Sequence, residues 1–175
     1  ATDASDSTST TSVSSLVSWL HQQLLFPAPS IASETLTEQA PRMGARVLEI
    51  PAQDGLPLLG WYRRAEGRRL VLYFHGNAET VLDRVDLQDL VVEQGYDFLM
   101  VAYRGYPGSP GTPSESGLRN DAMGVWNYAQ SVLGFRSEQI IVHGKSLGGG
   151  VAGWLCSEVR PAALVMESTF LSVVE

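Results

Sequence analysis

The sequence predicts an α/β domain built on a mostly parallel sheet with flanking helices, and three observations carry that prediction. Apolar runs with no polar alternation recur at 70–74, 98–103, 140–143 and 163–166, the pattern of strands covered on both faces. Stretches with helical periodicity separate these runs. A turn signal, Asp54-Gly55, lies between two further apolar runs near the start, as in a β-hairpin. The resulting order, β-β-β-α-β-α-β-α-β, calls for right-handed crossovers within one layer of sheet.

Taken in order, residues 1–12 are nearly all Ser, Thr, Ala and Asp and read as a disordered lead. Over 13–26, Val13, Leu16, Val17, Leu20, Leu24 and Leu25 recur at helical spacing, which predicts a short amphipathic helix followed by a connector to residue 44. That stretch carries no Lys or Arg, which argues against attachment to a membrane surface. The domain proper occupies 45–175. Its hairpin spans 47–50 and 56–62, and its helices are expected at 78–94, 115–133 and 147–159. On the second of these, Leu118, Ala122, Val125, Trp126, Ala129, Val132 and Leu133 fall on one face.

Composition narrows the function classes. The 175 residues are 44% hydrophobic and 18% charged, with a formal net charge of -7, so no general attraction to nucleic acid is expected. Cys156 is the only cysteine, which excludes an internal disulfide. The three histidines, His21, His75 and His143, show no metal-ligand spacing, and no metal or other cofactor is expected. No apolar run approaches the roughly 20 residues of a membrane-spanning helix.

The chemistry concentrates at two strand ends. Gly144-Lys145-Ser146-Leu147-Gly148 fits G-x-S-x-G between an apolar strand and a helix, a turn tight enough to push the Ser146 hydroxyl out above the sheet. The following helix aims its free N–H groups and positive dipole end at the same point. A second constellation, His75-Gly76-Asn77-Ala78-Glu79, ends the 70–74 strand. Acyl transfer on such a sheet needs one N–H after the nucleophile and one from the loop after the third strand. Leu147 and Asn77 stand at those positions.

Four segments then resemble one known family in order and approximate spacing: HGNAE at 75–79, YRGYPGSPGTPSE at 103–115, GKSLGGG at 144–150 and ESTF at 167–170. Over 25–175 the chain resembles a branch of the α/β hydrolases that includes small serine peptidase-like proteins and acyl-protein or lysophospholipid esterases, often membrane-anchored at the N-terminus. The resemblance implies Ser146 as nucleophile, Asn77 and Leu147 N–H groups as oxyanion donors, a small acyl substrate and no cofactor. Membrane association of the parent protein is compatible with it but not encoded in this chain. The family pattern has smaller residues where Glu79 and Thr80 stand.

The triad order of that fold is nucleophile, acid, histidine, yet no histidine and no aspartate follows Ser146. The expectation is therefore an α/β-hydrolase domain lacking its C-terminal strands, weakly active or inactive as this chain, with the last strand an exposed apolar edge that favours self-association. Glu167 ends that strand and is weighed both as triad acid and as a brace. Lys145, beside the nucleophile, is expected to point to solvent or to favour an anionic substrate. Tyr106, in the Gly/Pro-rich loop 103–115, is a candidate at the pocket rim.

Two other readings compete. Gly148, Gly150 and Gly153 also fit G-x-G-x-x-G, a dinucleotide-binding pattern, but Gly148 lies four residues past Gly144, where the strand already turns. A non-catalytic protein that keeps the hydrolase shell for binding is the rival from a different class. A phosphate loop is excluded because Gln139 stands where its first glycine must be.

Overall fold

The computed structural model describes residues 25–168. The expected lead 1–12, most of the expected helix 13–26, and His21 lie outside the described residues. Six strands form one sheet: β1 (Arg46–Pro51), β2 (Pro57–Arg63), β3 (Leu70–Phe74), β4 (Asp97–Val101), β5 (Ile140–Lys145) and β6 (Ala163–Glu167). Their order across the sheet is β1-β2-β4-β3-β5-β6. β1 and β2 pair antiparallel around the Asp54-Gly55 turn, β2 pairs antiparallel with β4, and β4, β3, β5 and β6 are parallel.

Side-chain alternation along β3 explains the two layers of core. Leu70, Leu72 and Phe74 face helices α3 (Glu115–Ser131) and α4 (Leu147–Glu158), packing with Leu118, Val125, Trp126, Val151 and Leu155. Val71 and Tyr73 face the other way, toward α1 (Ser33–Arg42) and α2 (Val85–Glu93), in a second cluster with Leu36, Ala40, Trp61, Phe98 and Met100. All five residues of β3 and of β4 are buried, as an apolar run without alternation requires.

The strands and three helices lie where the sequence predicts, within a few residues at their ends, and four differences have physical causes. The connector before residue 45 contains α1, which the pattern hid because only Leu36 and Ala40 are buried in it and Pro41 lies in its last turn. The helix expected from 78 begins later. Ala78 takes φ 56°, Thr80 caps a short 3-10 turn at Val81–Arg84 through Leu82 N–H, and the α-helix starts at Val85. The expected strand 98–103 ends at Val101, and Ala102 N–H still reaches the Leu59 carbonyl at 2.9 Å. Finally, β6 is a strand but is not covered on both faces: Leu164, Val165 and Met166 are 39%, 43% and 49% exposed, and among the described residues β6 pairs with β5 alone.

The strand order also fixes where a site can form. The chain leaves β3 outward to β4, then returns across β3 to β5. At such a switch point the loops leaving adjacent parallel strands run in opposite directions and open a crevice above the carboxyl ends. The loop after β3 is His75–Thr80, and the turn after β5 holds Ser146.

Candidate active site

Ser146 joins β5 to α4 with φ 49° and ψ -115°, a conformation that L-residues rarely adopt and that costs on the order of 1–3 kcal/mol. Close backbone approach makes the turn depend on its two flanking glycines. A Cβ on Gly144 would lie 2.2 Å from the Gly148 carbonyl oxygen, and a Cβ on Gly148 would lie 2.0 Å from the Phe74 carbonyl oxygen and 2.7 Å from that of His75. The first turn of α4 thus rests directly on the end of β3. Ser146 N–H donates to the Glu167 carbonyl at 2.9 Å, tying the turn to β6.

The loop after β3 meets this turn closely. A Cβ on Gly76 would sit 3.5 Å from both the Ser146 Cβ and the Lys145 carbonyl oxygen. Neither Asn77 N–H nor Leu147 N–H donates to an acceptor among the described residues. The two groups singled out as oxyanion donors thus belong to a loop and a turn that meet at Gly76 and Ser146, and no bond among the described residues takes either hydrogen.

Tyrosines of the 103–115 segment hold that loop. Tyr103 Oη donates to the His75 carbonyl, and Tyr106 Oη donates to Asn77 Oδ1, both at 2.9 Å. Asn77 Nδ2 donates to the Leu25 carbonyl at 2.9 Å and Ala78 N–H to that of Pro27 at 3.0 Å. Tyr106 is buried, and burial pushes its hydroxyl up to about 12, so it is a neutral donor at ordinary pH. Its role is to orient Asn77. The recess beside it, about 560 Å³ between residues 29–33 and 105–110, does not include Ser146 in its lining and is not the crevice at the nucleophile turn.

Arg104 anchors the same segment from below, and the sequence reading missed it. Its backbone N–H and Nε donate to Asp121 at 2.9 and 2.8 Å, while its two terminal nitrogens donate to Asp54 at 2.9 and 3.0 Å. One guanidinium joins the loop to α3 and to the β1–β2 turn. A signal was present: Asp121 lies three residues after Leu118 and four before Val125, on the apolar face of its helix, where an aspartate needs a partner.

Neither described histidine is available as a base beside Ser146. His75 is fully buried between Tyr103 and Tyr106, with ring centroids 4.2 and 5.1 Å away. Its Nδ1 lies 2.8 Å from the Gly76 carbonyl, and burial holds its pKa down to about 4. It is a neutral, structural ring. His143 projects to the face opposite α4, edge-on to Tyr73 at 4.9 Å and 3.5 Å from Glu167 Oε2. Burial lowers its pKa despite that carboxylate.

Glu167 carries its carboxylate toward His143 and toward Arg84, 3.4 Å away, so its side chain braces the α2 side of the sheet. Lys145 departs from both expectations. It neither points to solvent nor stands free for an anionic substrate, because its Nζ donates to Glu79 Oε1. The physical reason is a carboxylate within reach at residue 79, which captures the ammonium. The dinucleotide reading of Gly148, Gly150 and Gly153 is disfavoured too, since Gly148 is packed against β3 backbone and has no open face for a phosphate.

A six-stranded, mostly parallel sheet with flanking helices and a serine on a strained strand-to-helix turn at its switch point defines a class: the chain belongs to the α/β-hydrolase superfamily. No family model matches the chain. It is 34% identical over 160 residues to an uncharacterized protein of Mycobacterium tuberculosis, covering 90% of this chain and 57% of that one. It is 37% identical over 124 residues to the lysophosphatidylserine lipase ABHD12 of Mus musculus, covering 66% of this chain and 31% of the lipase. Among solved structures, an α/β hydrolase from Vibrio vulnificus superposes with a TM-score of 0.72 at 25% identity, covering 92% of this chain and 60% of that one. The chain thus matches 57% of the length of one of these curated relatives and 31% of the other.

Proposed function

We propose that this chain is the nucleophile-bearing part of a serine hydrolase that cleaves carboxylic esters, thioesters or amides through an acyl-enzyme. The observation that carries the reading is Ser146 at φ 49° on the β5–α4 turn, with Gly76 close against it and the Asn77 and Leu147 N–H groups without an acceptor among the described residues. The name of the mouse relative, a lysophosphatidylserine lipase, favours a carboxylic ester among the three bond types.

In this reading Ser146 Oγ bonds to the acyl carbon while its proton passes to a base. The Asn77 and Leu147 N–H groups donate to the oxyanion, each contributing a few kcal/mol of transition-state stabilisation, about 3 kcal/mol by analogy with other such donors. Collapse expels the leaving group, which takes the proton from the base, and water then releases the acyl group by the reverse sequence. The base and acid that this fold uses are a histidine and an aspartate or glutamate. No histidine follows Ser146, and His75 and His143 are engaged elsewhere.

The test is hydrolysis of a short-chain p-nitrophenyl ester by this chain and by a parent protein carrying further C-terminal sequence, each beside Ser146→Ala. The chain alone should turn over weakly or not at all. The parent should turn over and lose about a thousandfold or more on Ser146→Ala. Turnover of the parent that survives Ser146→Ala sinks the nucleophile assignment. A parent with no turnover on any ester, thioester or amide favours the binding-shell alternative.

A further inference from the structure

The Glu79 side chain folds back over the loop that precedes it. Oε2 accepts the Gly76 N–H at 2.9 Å. Oε1 accepts from Lys145 Nζ and lies 3.4 Å from Arg84. Lys145 is the residue before Ser146. Arg84 also reaches the Glu167 side chain at 3.4 Å, and the Glu167 carbonyl receives Ser146 N–H. The one carboxylate is therefore linked to Ser146 by two routes, one along β5 and one through β6.

From this geometry we infer that Glu79 is a positioning residue that sets the distance between the Asn77 N–H and the nucleophile turn, an inference that rests on the serine-hydrolase reading above. The other anchors of the loop run elsewhere. Tyr103 and Tyr106 tie it to the segment after β4, and Asn77 Nδ2 and Ala78 N–H tie it to residues 25 and 27. Beyond the β3–β5 ladder, which ends at Phe74 and Gly144, the Glu79–Lys145 contact is the only direct hydrogen bond between loop and turn among the described residues. An oxyanion donor must sit within a few tenths of an ångström of its place to act, so a cross-link at this point has a direct effect on rate. Glu79 also neutralises Lys145 and Arg84. Without it Lys145 would lose the carboxylate that holds it, while Arg84 would keep its contact with Glu167.

The experiment uses Glu79→Ala and Glu79→Gln in the 175-residue chain, with two readouts that need no triad histidine. The first is amide hydrogen exchange at Gly76, whose N–H is held by Glu79. The second is affinity for an alkylboronic acid, whose tetrahedral adduct with a serine mimics the oxyanion, measured beside Ser146→Ala. Glu79→Ala should speed exchange at Gly76 about tenfold or more, leave Leu72, Leu99 and Val142 unchanged, and weaken the boronate about tenfold. Glu79→Gln should recover much of the exchange protection, because its amide oxygen can still accept from Gly76 N–H. Exchange that is unchanged in Glu79→Ala, or that rises equally through the core strands, overturns the inference. Boronate binding that requires Ser146 but is equal in wild type and Glu79→Ala overturns the positioning role alone. Binding that is equal in wild type and Ser146→Ala overturns the nucleophile reading, and the catalytic meaning of the clamp with it.

Discussion

Replacing Gly148 by alanine puts the seating of the nucleophile turn to a direct test. The new Cβ would stand 2.0 Å from the Phe74 carbonyl oxygen, 2.5 Å from its carbon and 2.7 Å from the His75 carbonyl oxygen. An ordinary carbon–oxygen contact needs about 3.3 Å, so α4 and the end of β3 must separate by more than about 1 Å. All three atoms are backbone, with no flexible side chain to move aside. Overpacking of this kind costs about 3 kcal/mol, offset by about 1 kcal/mol because alanine favours a helix over glycine. The expected net loss is about 2 kcal/mol. Gly150, two residues on in the same helix, is the control: a Cβ there meets nothing within 4 Å, so Gly150→Ala should stabilise by about 0.5–1 kcal/mol. Urea unfolding followed by tryptophan fluorescence reads both changes as midpoint shifts of opposite sign. A Gly148→Ala protein as stable as wild type, or a Gly150→Ala protein destabilised to the same extent, refutes the close-approach argument.

The fully buried His75 should make the fold acid-sensitive. Its pKa is held down to about 4 against about 6.5 for an unfolded histidine, so neither state binds the proton above about pH 7, while below pH 6.5 the unfolded chain alone takes it up. Stability should therefore fall as pH drops, by up to about 3 kcal/mol on reaching pH 4. His75→Gln should lose most of that slope in urea midpoints between pH 7 and 4.5, and an undiminished slope would assign the effect elsewhere. Asp121→Ala should cost about 3 kcal/mol, because it leaves the buried Arg104 with Asp54 as its remaining carboxylate; a loss below about 0.5 kcal/mol would mean that Arg104 re-solvates freely. The exposed apolar side chains of β6 should drive concentration-dependent association of this chain in sedimentation experiments. Val165→Lys should reduce it, and a monomer at all concentrations would contradict the edge-strand argument.

The fold was legible in the sequence because both faces of its central strands are buried. Continuous apolar runs such as Leu70–Phe74 leave little else for the chain to do. The G-x-S-x-G turn was legible for a related reason, since glycine is required wherever backbone meets backbone, as Gly144 and Gly148 do. What escaped were features made by pairing across long separations. Arg104 reaches Asp54 and Asp121, 50 and 17 residues away, and Lys145 reaches Glu79 across 66. A charged residue in a sequence gives no sign of which opposite charge the fold will bring to it. Helix α1 escaped because two buried residues, Leu36 and Ala40, make too short a stripe to register as a period.

These missed pairs share one feature that bears on how the site is built. The backbone geometry at Ser146 is imposed locally, by glycine packing and a helix start, and would survive loss of any single ion pair. The loop carrying Asn77 has no such internal constraint: Asn77 is exposed and Ala78 takes φ 56°, while the anchoring bonds come from Tyr103, Tyr106, Glu79 and residues 25 and 27. One half of the proposed oxyanion pair is thus fixed by steric necessity and the other by a set of separable polar contacts. Variation in those contacts can shift the loop while leaving the nucleophile turn in place. The carboxylate at 79 is one such contact, and the effect of removing it should fall on Asn77 rather than on Leu147.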